Sequence, residues 1–334
     1  MLFDILRAVA GLAVLIFAAD RLVRAAIRIA GAFGVSTVLI GAVVVGFGTS
    51  MPEFVVSALA SIEGELELAI SNVVSSNTAN MTLVLGAAAL VAPVTARRRI
   101  VRREGALMFA AVVALSAALA SGYLGIVEGF ILSGLLAGAI AIMVRWSNDD
   151  PEALIGQLED GDPDSKLFRA SAPENEDAKE PLDRDSWRGL VGKEILIGIG
   201  ALVVTLIAAD FLLDGIVGVG QRLGWSAVVL GLITGVGTSL PELAAGVAGA
   251  RHGHSDLVIG NVVGSNVFNS LGVAGLAAIL GPGSVAGITT AMIAIMVAAA
   301  FGAGVFAFTG RRISRVEGGV LLAAFALFII FAFS

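Results

Sequence analysis

The chain has 334 residues, of which 57% are hydrophobic and 14% are charged, with a mean hydropathy of +0.94. Soluble domains usually contain about half apolar and about a quarter charged residues, so the composition excludes an ordinary soluble domain and indicates a polytopic membrane protein. The absence of cysteine excludes disulfides and thiolate metal sites. The net charge of −6 arises from residues 147–188, which hold 13 acidic and 5 basic residues.

Ten apolar stretches of about the length of a membrane span follow one another along the chain. We expect helices at residues 2–20, 35–62, 66–92, 104–121, 123–146, 190–213, 225–251, 255–281, 285–309 and 313–333. The breaks between them coincide with charged or Gly/Pro clusters, such as Arg97–Arg99 and Gly281–Gly283. The predicted fold class is therefore an all-α membrane protein with ten transmembrane helices.

The acidic segment divides the predicted helices into two groups of five. Residues 1–146 form the first half, residues 147–188 the connection, and residues 189–334 the second half. The connection is rich in Asp, Glu, Pro and Ser and poor in aromatic residues, which is typical of a disordered linker.

Arginines near the ends of the spans predict the orientation. With ten spans, one side of the membrane receives Arg21, Arg24, Arg28, Arg97, Arg98, Arg99, Arg102, Arg103, Arg251, Arg311, Arg312 and Arg315. The other side receives Arg7 and Arg222. Because basic residues favour the cytoplasmic side, we expect both termini outside and the 147–188 linker in the cytoplasm of a cell-membrane protein.

The two halves contain an internal repeat. Residues 46–80 align without gaps with residues 235–269, and 15 of the 35 positions are identical. The hexapeptide GTSMPE, which begins at Gly48, matches GTSLPE, and further on NVVSSN matches NVVGSN. Polar residues at fixed spacing indicate a true duplication. Because each copy contains an odd number of spans, the second copy should enter the membrane from the opposite side, as in the inverted repeats of secondary transporters.

A proline lies within each repeated hexapeptide. Pro52 and Pro241 remove a helical hydrogen bond inside apolar spans, so each helix should break nearby. Broken backbone at membrane depth is tolerated where it lines a cavity or is buried in protein. We expect the freed carbonyls of Gly46 and Gly235 to become ligands of a cation.

The repeated polar residues indicate a cation site. A carboxylate in the membrane costs at least about 2.5–3.5 kcal/mol, so Glu53 and Glu242 call for a compensating cation or proton. Thr49 should share a helix face with Glu53, which is four residues further on. The candidate ligand side chains are Glu53, Glu242, Thr49, Ser50, Ser76, Asn80, Thr238, Ser239, Ser265 and Asn269. The repeated Asn72, Asn77, Asn261 and Asn266 are expected to pack helices and cap backbone instead.

All these ligands are oxygen donors, without sulfur or imidazole. Such a set suits hard cations, and Ca²⁺ takes six to eight oxygens. Two carboxylates balance the charge of one Ca²⁺ or of two monovalent ions.

The motifs also carry a family resemblance. GTSxPE followed by GNxxGSN, twice in a ten-span chain, resembles the alpha repeats of the cation/calcium exchanger superfamily, and most closely the prokaryotic sodium/calcium exchangers. The resemblance implies that Glu53 and Glu242 bind Ca²⁺ and Na⁺ alternately, with support from the other candidate ligands and the two glycine carbonyls. This chain departs from the pattern at Ser71 and Ser75, where glycines are usual. Some relatives carry Asp at one of the two positions that match Asn80 and Asn269, whereas this chain has Asn at both.

We therefore predict a secondary active antiporter that exchanges Na⁺ for Ca²⁺ by alternating access at one carboxylate site. Proton/calcium antiport on the same fold is the alternative, since both glutamates could carry protons. A cation channel is less favoured, because channels usually build filters from symmetric subunit rings. The chain shows no nucleophile–base pair, so we expect no enzyme. We expect a monomer in the lipid bilayer, no nucleic-acid partner and no cofactor, with transported Ca²⁺ and Na⁺ as the bound ions.

Overall fold

The computed structural model describes residues 1–33, 35–148, 184–224 and 236–332, which are mostly helical. The helices are α1 Leu2–Phe33, α2 Thr37–Thr49, α3 Met51–Ile62, α4 Leu66–Val91, α5 Ala106–Leu119, α6 Ile126–Asn148, α7 Arg184–Arg222, α8 Leu240–Arg251, α9 Ser255–Leu280, α10 Thr290–Gly310 and α11 Arg315–Ala332. Four two-residue strands lie between them: β1 Val94–Thr95, β2 Tyr123–Leu124, β3 Gly283–Ser284 and β4 Arg312–Ile313.

The lengths of the described helices fit a multi-pass membrane protein. Six of them are long and apolar enough to cross a membrane alone, and α2 with α3 forms a seventh candidate, bent by 46°. The remaining helices α5, α8 and α11 have 14, 12 and 18 residues. The helical segment Arg98–Ile100 and the π-helical segment Val101–Gly105 lead without a break into α5. The start of the predicted span 225–251 and most of the 147–188 linker lie outside the described residues.

Helices α1 and α7 are longer than predicted. Their predicted spans, 2–20 and 190–213, were ended at charged residues, but α1 has 32 residues and α7 has 39. The charged side chains lie within the helices because they have partners there. Arg28 Nη1, for example, lies 2.8 Å from Glu194 Oε1 across the α1–α7 contact.

The α1 and α7 helices pack against each other antiparallel. Near the start of α1, Arg7 is paired with Asp214, and Arg222 Nε lies 2.6 Å from Asp4 Oδ2. A Cβ built on Gly215 would come within 2.5 Å of the Ala8 backbone, so the two helices touch along their backbones.

A second close contact joins α2 of the first half to α9 of the second. A Cβ on Gly260 would lie 2.4 Å from the Val38 carbonyl oxygen, and one on Gly264 would lie 2.2 Å from the Ala42 carbonyl oxygen. The constant sequence separation of these contacts shows that α2 and α9 run parallel. Small residues allow this approach of two helix backbones, which is common in membrane proteins.

The strand pairs bring loops together at two places. Strand β1 pairs antiparallel with β4, and the amide of Thr95 in β1 donates to Ser255 Oγ at 3.0 Å. Strand β2 pairs antiparallel with β3, and the nearby Gly287 amide donates to Glu67 Oε2 at 2.9 Å. In both places the loops that meet are those that the arginine pattern assigns to one side of the membrane.

Both halves contribute to one apolar core. Val73, Val74 and Met81 of α4 lie in the same buried cluster as Val262 and Val263 of α9. The repeated polar residues of both helices are therefore held within a single packed unit.

Candidate intramembrane cation site

The predicted helix breaks occur at the repeated hexapeptides. Ser50, with φ −82° and ψ 9°, separates α2 from α3, and Pro52 lies in the first turn of α3. Ser239, with φ −89° and ψ 8°, likewise precedes α8, and Pro241 lies in its first turn. A proline there needs no hydrogen-bond partner for its nitrogen. The two copies therefore interrupt the chain in the same way.

Each interruption places a glutamate in the first turn of a helix. Glu53 in α3 and Glu242 in α8 each have an exposed fraction of 0%. The amino end of a helix carries a partial positive charge, which favours a carboxylate in the first turn. Ser50, three residues before Glu53, donates to the Glu242 carboxyl group at 2.8 Å. The structure thus brings one acid from each half into a common buried region.

Hydroxyl groups connect each glutamate to the opposite half. Ser50 Oγ donates to Glu242 Oε1 at 2.8 Å, and Ser239 Oγ lies 3.5 Å from Glu53 Oε1. Ser76 Oγ of α4 also donates to Glu53 Oε1, at 3.3 Å. Each carboxyl group is therefore held by the serine of the other repeat.

The threonines follow the same crossed pattern, which corrects one sequence prediction. Thr49 does not share a helix face with Glu53, because the break at Ser50 separates α2 from α3. Instead, Thr49 lies near the Glu242 carboxyl group and Thr238 near that of Glu53, while the Thr49 hydroxyl donates to the Val45 carbonyl at 2.9 Å.

Several buried polar atoms in this region have no protein partner among the described residues. They are Glu53 Oε2, Glu242 Oε2, and both amide atoms of Asn80 and of Asn269. All four side chains have an exposed fraction of 0%. An unsatisfied buried polar group costs about 1–3 kcal/mol, so such a concentration needs an explanation. Ligation of a cation by these oxygens would supply one.

The two asparagines lie at equivalent local distortions. Asn80 begins the π-helical segment Asn80–Val84 of α4, and Asn269 lies in the π-helical segment Phe268–Val273 of α9. Short π segments within α-helices are frequent at functional sites, because they redirect side chains and backbone groups.

Of the two glycine carbonyls that are predicted as ligands, the structure describes that of Gly46. The Gly46 carbonyl is not freed, because it accepts the Ser50 amide at 3.1 Å, Ser265 Oγ at 3.2 Å and Thr49 Oγ1 at 3.3 Å. Ser265 thus contacts the Gly46 carbonyl, whereas its counterpart Ser76 contacts a glutamate. Gly235 lies outside the described residues.

The other repeated asparagines bind protein groups around the site. Asn261 Nδ2 donates to the Glu242 carbonyl at 3.2 Å, and Asn77 Nδ2 donates to Ser270 Oγ at 2.9 Å. Ser270 was not identified from the sequence, because the equivalent position in the first copy is Met81 and the repeat gives no signal. Asn261 therefore binds the backbone of the glutamate itself, as the predicted backbone-capping role requires.

Two carboxylates, from Glu53 and Glu242, are the charged groups of the candidate cation site. Among the described residues, no group of three or more His, Cys, Asp or Glu side chains is arranged to hold a metal. The site offers two carboxylates among neutral hydroxyl and amide oxygens, which suits a hard cation that binds and then leaves. A helical multi-pass protein with buried carboxylates at broken helices falls into the class of secondary transporters.

Comparisons with known proteins identify the family. The model of the family described as "Sodium/calcium exchanger protein" matches twice, at residues 4–145 and 193–334, once in each half. The chain therefore belongs to the sodium/calcium exchanger family, within the cation/calcium exchanger superfamily.

Individual relatives cover nearly the whole chain. CaxA of Alkalimonas amylolytica is 34% identical over 94% of each chain. The sodium/calcium exchanger MaX1 of Methanosarcina acetivorans is 30% identical over 97% of this chain and 96% of its own. A solved structure of the sodium-calcium exchanger NCX_Mj superposes with a TM-score of 0.80, covering 98% of both chains at 24% identity, and supports the fold.

Proposed function

We propose that the chain is a secondary active antiporter that exchanges Na⁺ for Ca²⁺ at one site shared by its two halves. The observation that carries this proposal is the crossed arrangement of Glu53 and Glu242, each fully buried and each contacted by hydroxyl groups of the opposite repeat. Membership of the exchanger family and the name of the relative MaX1 favour these two ions.

The proposed ligands are the oxygens that the repeat predicts. Glu53 Oε2 and Glu242 Oε2, both without a protein partner among the described residues, would carry the charge of the site. The neutral ligands would come from Thr49, Ser50, Ser76, Asn80, Thr238, Ser239, Ser265 and Asn269, and from the carbonyls of Gly46 and Gly235. For Gly46 this role requires the carbonyl to exchange one of its present hydrogen bonds for the cation.

We further propose ten membrane spans in two inverted five-helix repeats, residues 1–146 and 189–334. The antiparallel packing of α1 on α7, which begin the two halves, supports the inversion. The loops that pair at β1–β4 and the loops that pair at β2–β3 form two separate groups. This grouping fits ten spans whose connecting loops alternate between the two sides of the membrane.

The arginine pattern then sets the orientation. Arg97 beside β1 and Arg312 in β4 support a cytoplasmic position of that end and of the 147–188 linker. Both termini would lie outside. One chain contributes both glutamates, so a monomer in the bilayer suffices for transport.

Because both carboxyl groups are completely buried, transport requires a change of conformation. An ion bound between two fully buried glutamates must wait for a rearrangement before it can leave to either side. Inverted repeats allow two such rearrangements of similar energy, one opening each way. Na⁺ and Ca²⁺ would compete for the same two carboxylates, so binding of one ion displaces the other. No covalent step and no cofactor are needed.

The test is ⁴⁵Ca²⁺ uptake into proteoliposomes loaded with Na⁺. We expect outward Na⁺ gradients to drive Ca²⁺ uptake, and the same vesicles with equal Na⁺ on both sides to show little accumulation. The double variant Glu53→Gln/Glu242→Gln serves as the control for leakage.

A second set of vesicles carries a pH gradient and contains no Na⁺. Uptake driven by this gradient, and indifferent to Na⁺, would replace the proposal with proton/calcium antiport. Uptake that responds to neither gradient would exclude an antiporter of either kind.

A further inference from the structure

We propose that the end of the molecule near β1 and β4 binds one anionic phospholipid, with its phosphate at Arg98 and Arg102 and an acyl chain in the groove between α5 and α10. This proposal concerns a surface away from the glutamates and does not depend on which ions the protein carries. It rests on charge, aromatic contacts and the shape of the groove.

Two arginines are held together above the groove. The guanidinium carbons of Arg98 and Arg102 lie 5.5 Å and 5.8 Å from the centre of the Phe308 ring. The two residues are four apart, one helical turn, on the segment that leads into α5. Both are exposed. Cation–π contacts fix the position of such side chains while leaving their N–H groups available to an anion.

The surroundings carry an excess of positive charge. Arg311 and Arg312 are also exposed next to β4. Within the described part of the chain, no carboxylate forms an ion pair with Arg98, Arg102, Arg311 or Arg312. Four arginines at the end of the spans that form no ion pair within the described part of the chain fit an anionic headgroup.

Directly below the arginines lies an apolar groove. Val101 and Gly105 line it on one side, and Gly304 and Ala307 of α10 line the other. Ala307 adjoins Phe308 in the chain, so the groove begins where the two guanidinium groups lie. A Cβ built on Gly304 would have no atom within 4 Å, and one on Gly105 would have none closer than 3.8 Å. An unbranched chain therefore has room between the helices.

The floor of the groove connects it to the cation site. Met81, which follows Asn80 in the π segment of α4, lines the groove together with Val262 and Val263, which follow Asn261 in α9. A lipid chain there would pack on the reverse side of helices that carry proposed ligands. Its occupancy should therefore alter the rate of exchange.

An anionic phospholipid fits both features at once. A soluble phosphate would satisfy the arginines but not the groove, and a zwitterionic lipid would fill the groove while bringing its own cation to the arginines. Basic pockets between membrane helices recognise anionic headgroups in this way.

The experiment measures lipid binding to the purified full chain in detergent by native mass spectrometry. The probes are phosphatidylglycerol, phosphatidylcholine and glycerol phosphate. We expect phosphatidylglycerol to bind at least tenfold more tightly than phosphatidylcholine. Arg98→Gln/Arg102→Gln should weaken phosphatidylglycerol about fivefold for each arginine removed and leave phosphatidylcholine unchanged. Arg21, which lies 5.2 Å from the Phe17 ring on α1, gives the matched control Arg21→Gln, with no effect expected.

The groove is tested separately by filling it. Gly304→Leu should weaken phosphatidylglycerol at least about fivefold, because it displaces methylenes of the chain. Gly302→Leu is the control, since Gly302 also lies on α10 with no atom within 4 Å of an added Cβ and does not line the groove. Unchanged melting temperatures of both variants exclude misfolding.

Three results would overturn the proposal. They are equal binding of the two lipids, no effect of Gly304→Leu beyond that of Gly302→Leu, and competition by glycerol phosphate as strong as that by the whole lipid. The last result would leave a simple anion site.

Discussion

Replacing either glutamate by glutamine should abolish tight Ca²⁺ binding, although the change is almost isosteric. In Glu242→Gln the side-chain oxygen can still accept the Ser50 hydroxyl, which now lies 2.8 Å from Oε1. The variant therefore removes one negative charge while preserving the local hydrogen bond. The site would hold a divalent cation with only one carboxylate, in a region where the exposed fraction of both glutamates is 0%.

The size of the effect follows from the cost of an uncompensated buried charge. Removing one partner of a buried ion pair costs on the order of 3–5 kcal/mol. This corresponds to a Ca²⁺ affinity lower by roughly 150- to 5,000-fold. Because the carboxylates come from equivalent positions of the two halves, Glu53→Gln should give a loss of the same order.

The assay is isothermal titration of the purified protein with Ca²⁺ in Na⁺-free buffer. Glu194→Gln is the matched control, because Glu194 is also buried, at 7% exposure, but pairs with Arg28 between α1 and α7. We expect this control to bind Ca²⁺ like the wild type. A dissociation constant for Glu53→Gln or Glu242→Gln within about threefold of the wild-type value would refute the reasoning.

Four further variants, with one control, test other parts of the site and the contact between α2 and α9. Ser50→Ala should weaken Ca²⁺ binding about tenfold, and Ser239→Ala less, because their contacts to the facing carboxyl groups are 2.8 Å and 3.5 Å long; equal losses on titration would contradict this ranking. Asn269→Leu should reduce ⁴⁵Ca²⁺ flux about tenfold without lowering the melting temperature, since the amide has no protein partner among the described residues; a fall of several degrees would indicate a structural role. Gly264→Ala should destabilise the protein by about 1–3 kcal/mol, because the new methyl group would lie 2.2 Å from a carbonyl oxygen, whereas Gly302→Ala should not lower the melting temperature.

The repeated motifs predicted the two helix breaks better than they predicted the contacts around the two glutamates. The breaks at Ser50 and Ser239 follow from the prolines, and the structure shows both. The hydrogen bond of Ser50 to Glu242 could not be predicted from spacing within one copy, and Thr49 and Glu53 lie on opposite sides of the break, because residues four apart share a face only in an unbroken helix. Contacts between the halves depend on tertiary packing, about which a spacing within one copy carries no information.

The long helices show a second limit of sequence patterns. Arg21, Arg24 and Arg28 suggested that the first span ends at residue 20, yet α1 continues to Phe33. Partners distant in sequence, such as Glu194 for Arg28, allow charged residues within a long helix. Ser270 was missed for a related reason, since only the second copy has a hydroxyl group at that position.

The shared site can be tested most directly by locating Ca²⁺ in crystals of the protein through its anomalous scattering. We predict a single strong peak between α3 and α8, with oxygens of both Glu53 and Glu242 at about 2.3–2.6 Å. Two separate peaks, each bound by one glutamate, or a peak distant from both, would contradict a single site formed by the two halves.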